Sequence, residues 1–167
     1  SENTISAGGG NDTINISAKA DNGDAYAVYG HNTVDGGAGN DTINISATAT
    51  GTEYALYRIF EAAPSVLGGL GSDTITLGDA STGRSGNVIG STIALGDNAA
   101  GVGTTGATDT DRLSIYGSVT DSRIYGDAGN DKISLSGPIS NSTINVGAGY
   151  DILTLSMAGI ASLSDFS

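Results

Sequence analysis

The chain has 167 residues, a formal charge of −12, and 27 glycines against 2 prolines. Its fifteen aspartates outnumber three glutamates and six Lys plus Arg, a balance that argues against nucleic acid as a partner, because that needs a basic surface. Without cysteine there is neither a disulfide framework nor a thiolate metal site, and no apolar run approaches the roughly 20 residues needed to span a bilayer.

Repetition organises the chain. The first copy, Gly8-Gly9-Gly10-Asn11-Asp12-Thr13-Ile14-Asn15-Ile16, is nearly the same string as Gly37-Ala38-Gly39-Asn40-Asp41-Thr42-Ile43-Asn44-Ile45. Gly69-Leu70-Gly71-Ser72-Asp73-Thr74-Ile75-Thr76-Leu77 follows, then a degraded copy, Ala107-Thr108-Asp109-Thr110-Asp111-Arg112-Leu113-Ser114-Ile115. Asp127-Ala128-Gly129-Asn130-Asp131-Lys132-Ile133-Ser134-Leu135 and Gly147-Ala148-Gly149-Tyr150-Asp151-Ile152-Leu153-Thr154-Leu155 complete the set. The last aspartates stand 29, 32, 38, 20 and 20 residues apart.

Each 20-residue unit has apolar residues two, four and eight positions after its aspartate, and a Ser-x-Ile stretch before the next glycine turn. Period-two alternation predicts strands with one buried face, and the unit reads as two short strands joined by two turns. Seven residues before the aspartates stand Ile5, Val34, Val66, Ile124 and Ile144; Ile93 fills that place in the fourth coil, ahead of an insertion over 96–110. A single coil cannot bury its own apolar face, whereas stacked coils can. Stacking predicts one interior ladder of Ile14, Ile43, Ile75, Leu113, Ile133 and Leu153, and a second of Ile16, Ile45, Leu77, Ile115, Leu135 and Leu155. The expected fold is all-β, a parallel β-solenoid of about six coils with insertions in the first three. It forms one domain over 1–167, with wider coils in 1–110 and minimal 20-residue coils in 111–167.

The first two insertions are related, since Asp24-Ala25-Tyr26-Ala27-Val28-Tyr29 and Thr52-Glu53-Tyr54-Ala55-Leu56-Tyr57 share Tyr-Ala-apolar-Tyr at a spacing of 28. They predict an extra, stacked strand in each coil, followed by Arg58 and Phe60. Tyr26, Tyr29, Tyr54 and Tyr57 then form a flank that either contacts a glycan or a partner, tyrosine being enriched at interfaces, or covers the wider end of the rod. The outward rows Thr13, Thr42, Thr74, Arg112, Lys132, Ile152 and Asn15, Asn44, Thr76, Ser114, Ser134, Thr154 read as a solvated face. Arg112 and Lys132 interrupt the flat threonine array that ice binding would need.

The Gly-x-Gly-x-Asp turns resemble the RTX calcium-binding repeat, Gly-Gly-x-Gly-x-Asp-x-U-x. That resemblance implies calcium held between successive turns on carbonyls brought close by Gly8, Gly10, Gly37, Gly39, Gly69, Gly71, Gly129, Gly147 and Gly149. The carboxylates would come from Asp12, Asp41, Asp73, Asp131 and Asp151, with Asp109 and Asp111 continuing the column and Asp127 in the fifth turn. Ala7, Asp127 and Val146 replace motif glycines. Only one turn per coil carries the motif, and Gly137-Pro138-Ile139-Ser140-Asn141 opposite has no acidic signature. The one-sided layout is similar to the calcium-dependent solenoid segments of large bacterial adhesins. The competing expectation is a metal-free turn ladder, because Asn and Asp side chains close turns locally. Against it stands the self-repulsion of bare aspartates stacked about 5 Å apart.

The resemblance implies an extracellular, calcium-binding structural protein, secreted or at a bacterial cell surface, that stacks on copies of itself or sits in a filament, surface layer or adhesin. Head-to-tail stacking is suggested by the lead of 11 residues before Asp12 and the tail of 17 from Asp151, which together are close to one coil of the first kind; the competing explanation is that the chain is a fragment or one unit of a longer protein. The alternatives are an adhesin-type module that binds glycan or a partner through the tyrosine flank, and the non-catalytic tail of a secreted enzyme. No enzyme activity is expected, since His31 is the only histidine, Asp79, Asp97 and Asp121 are scattered in loops, and the other acids sit mainly in the turns. Met157 and Phe166 would form a modest plug at the C-terminal end.

Overall fold

Alternating apolar and polar residues make strands, and the glycine turns between them keep those strands short. A computed structural model describes residues 2–57, 64–82, 85–96 and 109–156. The strands are β1 (Asn3–Ser6), β2 (Thr13–Ala20), β3 (Ala25–Tyr29), β4 (Asn32–Asp35), β5 (Thr42–Ala49), β6 (Glu53–Tyr57), β7 (Ser65–Leu67), β8 (Thr74–Leu77), β9 (Val88–Ile89), β10 (Thr92–Ala94), β11 (Arg112–Ile115), β12 (Val119–Thr120), β13 (Arg123–Tyr125), β14 (Lys132–Leu135), β15 (Ile139–Ser140), β16 (Thr143–Asn145) and β17 (Ile152–Leu155). They form three sheets, β1-β4-β7-β10-β13-β16, β2-β5-β8-β11-β14-β17 and β3-β6-β9-β12-β15. Neighbouring strands come from successive coils and run parallel. The fold is therefore a parallel β-solenoid.

The coil has three strands rather than the two expected. The third sheet is reduced in the minimal coils to the two-residue strands β12 and β15, too short to show a period. The tyrosine segments are accordingly not extra strands. They are β3 and β6, the five-residue versions of a sheet that continues through β9, β12 and β15. The first two coils also lengthen the second sheet, where β2 and β5 have eight residues against four in β8, β11 and β14.

The interior ladders have the expected register. Ile14 pairs with Ile43, Ile43 with Ile75, Ile75 with Leu113, Leu113 with Ile133, and Ile133 with Leu153. Ile5, Val34, Val66, Ile93, Ile124 and Ile144 likewise align along the first sheet. From Ile43 and Ile45 through Leu113 and Ile115 these side chains are wholly buried. Each such aliphatic side chain contributes roughly 1.5–3 kcal/mol by leaving water. In the first and last coils the same positions, Ile14, Ile16, Leu153 and Leu155, are only partly buried, because each has a neighbour on one side. On the outer face Asn44 Nδ2 donates to Asn15 Oδ1 at 2.9 Å. Arg58, Phe60, Asp97, Met157, Phe166 and most of the long insertion lie outside the described residues.

Candidate metal centre

The acidic turns all join the first sheet to the second, so they stack along one edge of the rod. Their geometry depends on glycine. Gly37 and Gly39 have φ of 100° and 131°, and a methyl group at either would overlap the carbonyl of Gly8 or Gly10 in the preceding coil. Backbone ladders run through the turns themselves. Ala38 N donates to Gly8 O at 2.7 Å and Leu70 N to Gly37 O at 2.8 Å.

The column aspartates are linked coil to coil. Asp12 N donates to Asp41 Oδ1 (2.8 Å), Asp41 N to Asp73 Oδ1 (2.7 Å), and Asp73 N to Asp111 Oδ1 (2.6 Å). Asp111 N then donates to Asp131 Oδ1 (3.0 Å) and Asp131 N to Asp151 Oδ1 (2.9 Å). One oxygen of each linked carboxylate is thus used by the backbone. In three of them, Asp41, Asp73 and Asp131, the other oxygen, Oδ2, is buried without a hydrogen-bond partner, and so is Oδ2 of Asp12 at the start of the column. Burying a charged oxygen without compensation is expensive. Burial accordingly lifts the carboxyls of Asp73 and Asp131 to about 6 and that of Asp111 to about 8. The N–H from the preceding coil opposes that rise, and the neighbouring carboxylates add to it.

The orphan oxygens share their surroundings with backbone carbonyls. A methyl group on Gly36 would meet both the Gly68 carbonyl and Asp41 Oδ2, the latter at 2.7 Å; one on Gly68 would meet the Leu95 carbonyl and, at 2.9 Å, Asp73 Oδ2. The space that glycine leaves open is therefore lined by oxygen. Carbonyl and carboxylate oxygens without nitrogen or sulfur suit a hard cation, calcium above all. A cation there would reverse the penalty on the buried carboxylates. Among the described residues no three acidic or imidazole side chains gather at one point. The donors are instead single carboxylates and carbonyls repeated coil by coil.

All six column aspartates thus fall in one line, Asp111 of the degraded copy included. Asp109 lies two residues earlier, where Gly71 and Gly129 stand in neighbouring coils, and its carbonyl accepts from Asn130 N at 2.9 Å. Asp127 takes the place of Gly37, Gly69 and Gly147 with φ of 70°, and its Oδ2 accepts from Gly96 N at 3.0 Å. The tyrosines are apart from this edge, on the third sheet. Tyr26 stacks on Tyr54 at 5.4 Å and Tyr29 on Tyr57 at 5.9 Å, and Tyr26 OH donates to Asp24 Oδ2 at 3.1 Å.

Two further ladders escaped sequence reasoning. Asn11 Oδ1 accepts from Asn40 N (2.9 Å), Asn40 Oδ1 from Ser72 N (3.0 Å), and Asn130 Oδ1 from Tyr150 N (2.9 Å). This ladder runs opposite to the aspartate ladder, and its signal is the recurring Asn before the column Asp. At the turn between the third and first sheets, Ser91 N donates to Ser122 Oγ and Ser122 N to Ser142 Oγ, both at 3.1 Å. Those hydroxyls in turn donate to the carbonyls of Ile89, Thr120 and Ser140. Serine closes that ladder with its oxygens satisfied. The aspartate ladder leaves an oxygen over.

The RTX calcium-binding nonapeptide repeat, in four copies, matches residues 1–15, 26–44 and 114–137. Those segments hold the first, second and fifth acidic turns; parallel pairing carries the same arrangement through the third, fourth and sixth coils. No curated protein and no solved structure matches the chain significantly.

Proposed function

We propose that this RTX-type rod works as an extracellular structural element set by calcium, part of a secreted or cell-surface bacterial assembly that grows by adding coils end to end. RTX repeats mark a calcium-binding module and are typical of secreted proteins. The observation that carries the reading is the contrast between the two ladders. A neutral hydroxyl links coils at the serine turn and leaves nothing unsatisfied, so linking alone does not require the buried, partnerless Oδ2 atoms of the acidic edge. Asp12, Asp41, Asp73, Asp111, Asp131 and Asp151, with the glycine carbonyls beside them, would hold the ions. Calcium supplies charge neutralisation between coils and couples folding to its concentration. End-to-end growth is supported by the parallel ladders, in which each coil pairs with the next in one register, so that a coil of another copy would extend them with no new geometry. The role is mechanical rather than catalytic. Among the described residues no helix is long and apolar enough to cross a membrane.

A second reading, an adhesin-type module that binds glycan or a protein partner, is favoured by the four clustered tyrosines and their exposed polar rim at Asp24. Calcium titration into chelator-stripped protein, followed by circular dichroism and sedimentation, tests the first reading. The expected result is a calcium-dependent gain of β signal with concentration-dependent end-to-end species. Calcium-dependent folding to monomers alone would leave the ion column and move the function to the tyrosine module. Full folding in chelator, unchanged by calcium, would reject the metal role.

A further inference from the structure

We propose that the calcium column is uneven, and that its tightest site lies where the fourth coil meets its neighbours, set apart by the charge of Asp109. The inference rests on the calcium reading above and deepens it. In five of the six turns the residue two before the column aspartate is glycine: Gly10, Gly39, Gly71, Gly129 and Gly149. In the fourth it is Asp109. The Asp109 carbonyl keeps its place on the edge, since a methyl group on Gly129 would lie 2.6 Å from it. But it gains a partner: Asn130 N donates to it at 2.9 Å, whereas the corresponding N–H of Asn40, Ser72 and Tyr150 goes to an asparagine side chain. The fourth coil therefore keeps its carbonyl on the edge and adds a carboxylate to it.

That carboxylate lies within electrostatic reach of Asp73, Asp111 and Asp131, whose exposures are 1%, 3% and 1%. Two of the three, Asp73 and Asp131, bury an Oδ2 with no partner. The orphan oxygens point to a cation independently of Asp109; Asp109 gives the fourth turn a second carboxylate, while the cations of this stretch, Arg112 and Lys132, stand exposed on the outer face of the second sheet. Asp127, whose carboxylate also takes the Gly96 N–H, adds further charge one coil on. In the first three coils each turn has a single acid between its first motif position and the column aspartate. Affinity for calcium in oxygen sites rises with the charge of the donors, and one coil step of about 5 Å lies well inside the screening length of about 8 Å at physiological salt.

Isothermal titration of the full chain with calcium chloride, after chelator treatment, reads the distribution of sites. Wild type is expected to show two affinity classes about tenfold apart. Asp109→Asn and Asp109→Gly, the latter restoring the repeat glycine, are expected to weaken the tight class about tenfold and merge it with the rest. Asp12→Asn, at the far end of the column, is expected to spare the tight class. Circular dichroism at saturating calcium checks that each variant folds, and raised salt is expected to narrow the gap in wild type but not in Asp109→Asn. A single class in wild type, or a tight class that survives both Asp109 substitutions, overturns the inference and leaves calcium binding in place. No calcium-dependent heat in wild type overturns both.

Discussion

A carboxylate that accepts one backbone N–H and buries its other oxygen is a costly residue in the absence of a cation. Asp73 shows the two contributions separately, because Oδ1 takes the Asp41 N–H while Oδ2 has no partner. Asn at this position keeps the acceptor and removes the charge; Ala removes both. Asp73→Asn is therefore expected to melt at the same temperature as wild type or higher in chelator, and lower than wild type in saturating calcium. Asp73→Ala is expected to lose about 1–3 kcal/mol in both conditions, the usual cost of a buried N–H left without a partner. Paired thermal melts with and without calcium measure this directly. If Asp73→Asn were as damaging in chelator as in calcium, the carboxylate would be serving the ladder rather than an ion.

None of the strands, two to eight residues long, could stand alone, so cohesion lies in ladders that cross coils. Ile75 has ladder neighbours on both sides and is wholly buried, whereas Ile5, on the edge strand β1, is 47% exposed. Ile75→Ala is expected to cost about 2–5 kcal/mol in chemical denaturation with calcium present, and Ile5→Ala less than about 1 kcal/mol. Equal losses would mean that stability is not carried by the interior ladders. These ladders were legible in the sequence because each apolar residue sits at a fixed offset from an aspartate, so finding Asp12, Asp41, Asp73, Asp111, Asp131 and Asp151 also found their registers. The third sheet was not legible, since Val119–Thr120 and Ile139–Ser140 are too short to alternate. At the acidic edge the aspartate column could be read from spacing. The asparagine ladder could not, because Asn before Asp has a sufficient local explanation as a turn former and its partner lies a full coil away. Asp127 reads as a defect in the motif, and only the fold shows that its side chain takes the Gly96 N–H.

For the whole molecule, the formal charge of −12 is spread along a rod whose most crowded acids share one edge. Its pH response follows from the buried carboxyls. Burial holds Asp73 and Asp131 near 6 and Asp111 near 8 in the metal-free rod, against roughly 4 in an unfolded chain. Between those values the folded state binds more protons than the unfolded one, so metal-free stability is highest at low pH and falls as pH rises from about 4 to about 8. Asp79, held near 2 by hydrogen bonds from Ser81 and Thr82, acts in the opposite sense and only below about pH 4. Calcium needs the same carboxylates ionised, so its contribution grows over the interval in which the metal-free rod weakens. Melting curves at pH 5 and pH 8 should therefore cross: in chelator the protein melts higher at pH 5, and in saturating calcium it melts higher at pH 8. Parallel behaviour in the two buffers would mean that the ions do not bind at the column. A crossing would make the acidic edge a latch, slack where calcium is scarce and closed where calcium is plentiful and the pH is near neutral.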